Sequence, residues 1–175
     1  KDARRKRMTL LVAVHDLMKR PGQMREIQID HAPEMGIGTS VVEVPAKSTV
    51  NISLRLESVH EGVLATGEVF AAAEAQCSRC LDPINLDVEV DFQELFAYSS
   101  SSDEDLVVLS EHIDLEQVLI DSIVLNLPFQ PVCSKTCLGL CPECGIRLTQ
   151  DLEHGHEKPV DPRFSALQDF ANKEE

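Results

Sequence analysis

Aromatic side chains are scarce in this chain: tryptophan is absent, tyrosine occurs once, and aromatics make up 4% of the residues. A core built from it must therefore come mainly from Val, Leu, Ile and Ala. No apolar run approaches the roughly 20 residues with which a helix crosses a bilayer. Nor does a charged start followed by an apolar stretch and a small-residue cleavage site read as a signal peptide. The expectation is a cytoplasmic protein that does not enter a membrane. Several catalytic signatures are also missing, namely HExxH, GxSxG, the P-loop, a dinucleotide fingerprint and the deaminase HxE with PCxxC. No catalytic residue is assigned.

What is present suits one ordinary domain with a small appendage. The chain has 175 residues, 43% of them hydrophobic, which argues against wholesale disorder. Its net charge of −14 is unevenly spread. Residues 1–25 hold eight Lys/Arg against Asp2 and Asp16, a net of +6, which leaves −20 for the remainder. A body of that charge repels a phosphate backbone and suits a basic protein partner. RNA contact is expected only from the basic arm, through Arg4, Arg5, Lys6 and Arg7.

Hydrophobic period two dominates the middle of the chain. Thr49 to Ser58 places Val50, Ile52, Leu54 and Leu56 on one face and Asn51, Ser53, Arg55 and Glu57 on the other. His60-Glu61-Gly62 reads as a turn, and Val63 to Ala75 as an Ala-rich return strand in which Gly67 marks a bulge or a close contact. Ile84, Leu86, Val88, Val90 and Phe92 then alternate with Asn85, Asp87, Glu89 and Asp91, giving one apolar and one acidic face. A shorter strand is read over Val41–Val44. A short helix is expected over Asp16–Lys19, ended by Pro21-Gly22. The clearest helix is 114–127: Asp114 caps it with Gln117 in a capping-box relation, Leu115, Val118, Leu119, Ser122 and Ile123 face inward, and Pro128 stops it. Ser99 to Asp105 reads as a polar acidic loop, and Asp161-Pro162 as the start of a C-terminal helix. The fold class is α+β: an antiparallel β-sheet or partly closed barrel packed by one main helix, with a C-terminal zinc-binding segment. Three parts are expected: a basic arm and short helix over 1–22, a core over 23–130, and a zinc-knuckle segment with a C-terminal helix over 131–175.

The richest chemistry lies in CSKTCLGLCPECG, residues 133–145, with four cysteines in thirteen residues. A CPxCG knuckle turns backbone amides toward two thiolates that converge on one ion. The leading ligand set is Cys133, Cys137, Cys141 and Cys144, which needs no distant partner. A second set joins Cys77 and Cys80, on the connection between two strands, to Cys141 and Cys144. A third joins Cys141 and Cys144 to His154 and His156. Four thiolates close a zinc ion against water, which favours a structural ion over a hydrolytic one. A catalytic alternative would use the third set with one ligand lost and Glu143 or Glu153 as base. The redox reading is discounted, because a thioredoxin-type CxxC stands at a helix start.

CSRCL after an Ala-rich strand, LNLPFQPVC at the end of a helix, CLGLCPECGIRL and DPRFSAL come in an order that resembles the YceD-like family, large ribosomal RNA subunit accumulation proteins. The resemblance spans roughly residues 48 to 170. It implies a non-enzymatic bacterial factor that supports accumulation of large-subunit (23S) ribosomal RNA; the charge distribution adds the expectation that it does so by binding a ribosomal protein, the pre-ribosomal large subunit or RNA. A metal-dependent hydrolase or nuclease acting on RNA is the alternative. Zinc-type members of the family often follow CPxCG with CxC, where this chain has His154-Gly155-His156, a replacement that keeps metal-binding chemistry.

Overall fold

The computed structural model describes residues 10–99 and 106–156. The basic arm with Arg4, Arg5, Lys6 and Arg7, residues 100–105 of the acidic loop and the expected C-terminal helix lie outside the described residues.

Where bulky apolar residues alternate with polar ones, the chain forms strands, and each hides its apolar row. β5 (Val50–Ser58) follows the pattern throughout: Val50, Ile52, Leu54, Leu56 and Ser58 are buried, while the residues between them are not. Each fully buried Val or Leu contributes on the order of 1.5–3 kcal/mol. β6 (Gly62–Gln76) runs antiparallel to β5 and continues past it. β7 (Pro83–Ala97) pairs with the whole length of β6, Val69 opposite Val90 and Ala71 opposite Val88. Gly67 makes the close contact that its place in a strand suggested: the Phe92 ring lies over it, and a Cβ there would sit 2.4 Å from the ring edge.

The opposite edge of β6 is shared. Val63–Phe70 pair with β5, and β5 with β2 (Met24–His31). Glu74 and Ala75 pair with β4 (Val42–Val44), and β4 with the two-residue β3 (Ile37–Gly38). The result is an open six-stranded antiparallel sheet, and the partly closed barrel is not formed among the described residues. β2, β3 and β7 are its edge strands, and no pairing joins them among the described residues.

A second, two-stranded sheet pairs β1 (Leu11–Ala13) with β8 (His112–Asp114). It corrects the reading of the N-terminal segment, because residues 15–19 form turns and not a short helix. Pro21 and Gly22 follow too closely for a helix to gain its second turn, and Val12, Val14 and Leu17 instead enter the core.

The helix α1 (Glu116–Asn126) packs against β7 and β3. The N-cap position falls on Leu115 and not on the expected Asp114, which accepts the Glu116 N–H at 3.1 Å from one residue earlier, and Gln117 bonds Asp121 rather than closing a capping box. Leu115, Val118, Leu119 and Ile123 face the core as their spacing requires, with Ser122 half-buried. Leu127 is extended at ψ 136°, as the residue before Pro128 must be.

Candidate metal centre

Two short connections bring the cysteines together. The turn between β6 and β7 carries Cys77 and Cys80, with Leu81 donating its N–H to the Cys77 carbonyl. The segment after α1 lies alongside, fastened where the Ser78 N–H and hydroxyl both reach the Pro131 carbonyl. Cys133 and Cys137 thereby face Cys77 and Cys80. Cys80 Sγ lies 3.6 Å from Cys133 Sγ, and Cys77 Sγ lies 4.0 Å from Cys137 Sγ. All four sulfurs fall within 4.8 Å of one another. A tetrahedron of zinc–sulfur bonds of about 2.3 Å has edges of about 3.8 Å, whereas a disulfide would bring two sulfurs to about 2.05 Å. All six cysteines are free.

The second group is built on the CPECG knuckle. Gly145 (φ 73°) returns its N–H to the Cys141 carbonyl, and Cys141 donates to Ile146. His154 and His156 come back onto it from the following turn. Their Nε2 atoms lie 3.1 and 3.3 Å from Cys144 Sγ and 3.0 Å from each other. Their outer nitrogens face carboxylates, Glu143 at 3.4 Å from His156 Nδ1 and Asp151 at 3.9 Å from His154 Nδ1. That is how metal-binding imidazoles are commonly oriented.

Each group contains one thiol held down at about 6. For Cys77 the main cause is the backbone N–H of Cys80, followed by that of Cys133. For Cys141 it is the N–H of Cys144, then that of Glu143. Burial pushes the Cys137 thiol up. Backbone amides aimed at sulfur favour the thiolate, which is the ligating form.

These placements divide the donors differently from the leading expectation. Cys133, Cys137, Cys141 and Cys144 do not converge on one point among the described residues, and neither do Cys77, Cys80, Cys141 and Cys144. The chain between Cys137 and Cys141 is drawn off by the Leu140 N–H, which bonds the Arg79 carbonyl at 2.9 Å. The third set, Cys141, Cys144, His154 and His156, does converge. Both groups have the donors to hold a metal ion. Glu143 Oε2 lies 3.4 Å from His156 Nδ1, on the side of that imidazole away from Cys144, and Glu153 belongs to neither donor group.

Three supporting residues carried no signal in the sequence. Arg79 donates to the carbonyls of Cys137 (2.8 Å) and Lys135 (3.4 Å). Arg147 forks onto Asp82, and this guanidinium holds the Asp82 carboxyl down at about 2. The pair links the turn that bears Cys80 to the arm that bears Cys144. No residue spacing announces contacts between segments this far apart.

No solved structure matches this chain. An uncharacterized protein of Mycobacterium tuberculosis is 42% identical over 173 residues, covering 94% of this chain and 83% of the relative. An uncharacterized protein of Mycobacterium leprae is 38% identical over 161 residues, covering 88% and 74% respectively. The sequence model of the large ribosomal RNA subunit accumulation protein YceD matches residues 65–171, which take in β7, α1 and every cysteine and histidine of both groups. On that match, and on the length over which the mycobacterial relatives align, the chain belongs to the YceD family of large ribosomal RNA subunit accumulation proteins.

Proposed function

We propose that this chain is a non-enzymatic factor that supports accumulation of 23S ribosomal RNA by holding a basic ribosomal protein during large-subunit assembly, with zinc as a structural clasp. The observation that carries the reading is the outer face of the main sheet. Glu68 stands directly opposite Asp91 and Glu43 directly opposite Glu74, with Asp87 and Glu89 on the same exposed face. Like charges set side by side across a ladder cost stability, and a cationic partner offsets that cost. Both donor groups offer four ligands, a full shell for zinc that leaves no position for a reactive water. The basic arm, with Arg4, Arg5, Lys6 and Arg7, supplies whatever direct RNA contact the factor makes.

The test is complementation in bacteria lacking their own family member, read as the ratio of 23S to 16S ribosomal RNA. Wild-type chain restores the ratio. Glu68→Lys/Glu74→Lys/Asp91→Lys fails to do so and no longer retains ribosomal proteins at low salt, while Glu143→Gln restores it. Full rescue by the triple variant overturns the docking surface. Failure of Glu143→Gln with its metal still bound returns the hydrolytic reading.

A further inference from the structure

We infer that the chain carries two separate metal sites, and that the inner one is a tetrathiolate centre formed by Cys77, Cys80, Cys133 and Cys137. This site is independent of the CPECG knuckle and does not rest on the ribosomal reading. Its ligands come in pairs from connections 53 to 60 residues apart, and sulfur contacts of 3.6 and 4.0 Å match the edges of a zinc tetrahedron. Cys77 is fully buried, and Cys80 and Cys137 are nearly so, in a pocket closed by Ile84 and Val132.

The surroundings fit a centre of this charge. Four thiolates around a divalent ion carry a net of −2, whereas two thiolates and two neutral imidazoles carry none. The Cys133 N–H points at Cys77 Sγ at 3.4 Å. The Arg79 guanidinium donates to the carbonyls of Lys135 and Cys137, fastening the turn that bears Cys77 and Cys80 to the segment that bears Cys137. This pocket is an apolar cluster of its own, apart from the main core, and it lies where the chain from 128 to 140 has no strand or helix to hold it. Four thiols alone, three of them buried, would be a weak fastening there, and an ion joining them is a strong one. The outer site is more open, with Cys144 exposed and Cys141 its one buried donor. The two ions therefore differ in exchange rate: the outer leaves first, and the inner is retained with the fold.

The test is metal analysis of the intact chain, purified with its thiols reduced, followed by timed release to a chromophoric zinc chelator. About two equivalents of zinc are expected, the second leaving at least roughly tenfold more slowly than the first. Cys133→Ser, at an exposed ligand, removes the slow equivalent; His154→Ala removes the fast one. Where Cys133→Ser fails to fold, stepwise cobalt loading of the wild-type chain gives the same answer. Thiolate-to-cobalt charge-transfer absorption then rises about twice as much for the first equivalent as for the second, as four thiolates and then two predict. A single equivalent lost from both variants overturns the proposal, as does a chain whose cysteines are all paired as disulfides, or a Cys133→Ser chain that keeps both ions.

Discussion

Gly139 lies so close to Arg79 that a Cβ on it would stand 2.8 Å from the Arg79 carbonyl oxygen, the same oxygen that accepts the Leu140 N–H. This backbone contact separates the two donor groups. It turns the chain between Cys137 and Cys141, sending one cysteine pair toward the β6–β7 connection and the other toward the histidines.

Gly139→Ala is expected to destabilise the chain by about 1–3 kcal/mol, because its φ of 81° and the missing space act together. Gly145→Ala, at φ 73° but in open space, loses only about 1 kcal/mol. Urea unfolding of the two variants side by side checks the contrast, and equal losses would show that conformation alone matters at Gly139.

Gly67→Ala drives a methyl group into the Phe92 ring and costs about 1–3 kcal/mol by overpacking. Adding Phe92→Leu recovers part of that loss, so the two substitutions are less than additive. A double-mutant cycle by thermal unfolding measures the coupling.

Asp91→Lys turns the repulsion with Glu68 into an attraction and stabilises the sheet by about 0.2–1 kcal/mol. Under the proposed function, the same variant is expected to weaken retention of basic ribosomal proteins. Gain in one assay with loss in the other is the signature of a surface kept for binding, and loss in both would point to a purely structural role.

Burial raises the pKa of Glu116, while the nearby His31, its Nε2 3.3 Å from Glu116 Oε2, acts in the opposite direction. A carboxyl raised in the folded state contributes stability that is complete below its unfolded value of about 4.3 and is lost as pH rises through the folded value. Glu116→Gln is therefore expected to be more stable than the wild type near pH 7, with the difference vanishing below about pH 4. Urea midpoints across that range check it, and a less stable variant at pH 7 would mean that attraction to His31 outweighs burial.

Strands with strict alternation were readable residue by residue, from Val50 through Leu56 and from Val88 through Phe92, because period two leaves only one face to bury. The helix was readable from its inner face and from Pro128. β1, β3 and β8 were not: each is only two or three residues long, too short to show a period, and β1 and β8 exist because each pairs with the other across about a hundred residues of chain.

The sequence by itself determined which donors the chain owns, that Cys77 and Cys80 stand between two antiparallel strands, and that His154 and His156 share a spacing suited to one ion. Only the tertiary structure decided which donors meet. Spacing favours the nearest cysteines, but the β6–β7 hairpin places Cys77 and Cys80 beside Cys133 and Cys137, leaving Cys141 and Cys144 to the histidines. Ligand choice here depends on where the sheet ends, and that is set by the packing of the whole domain.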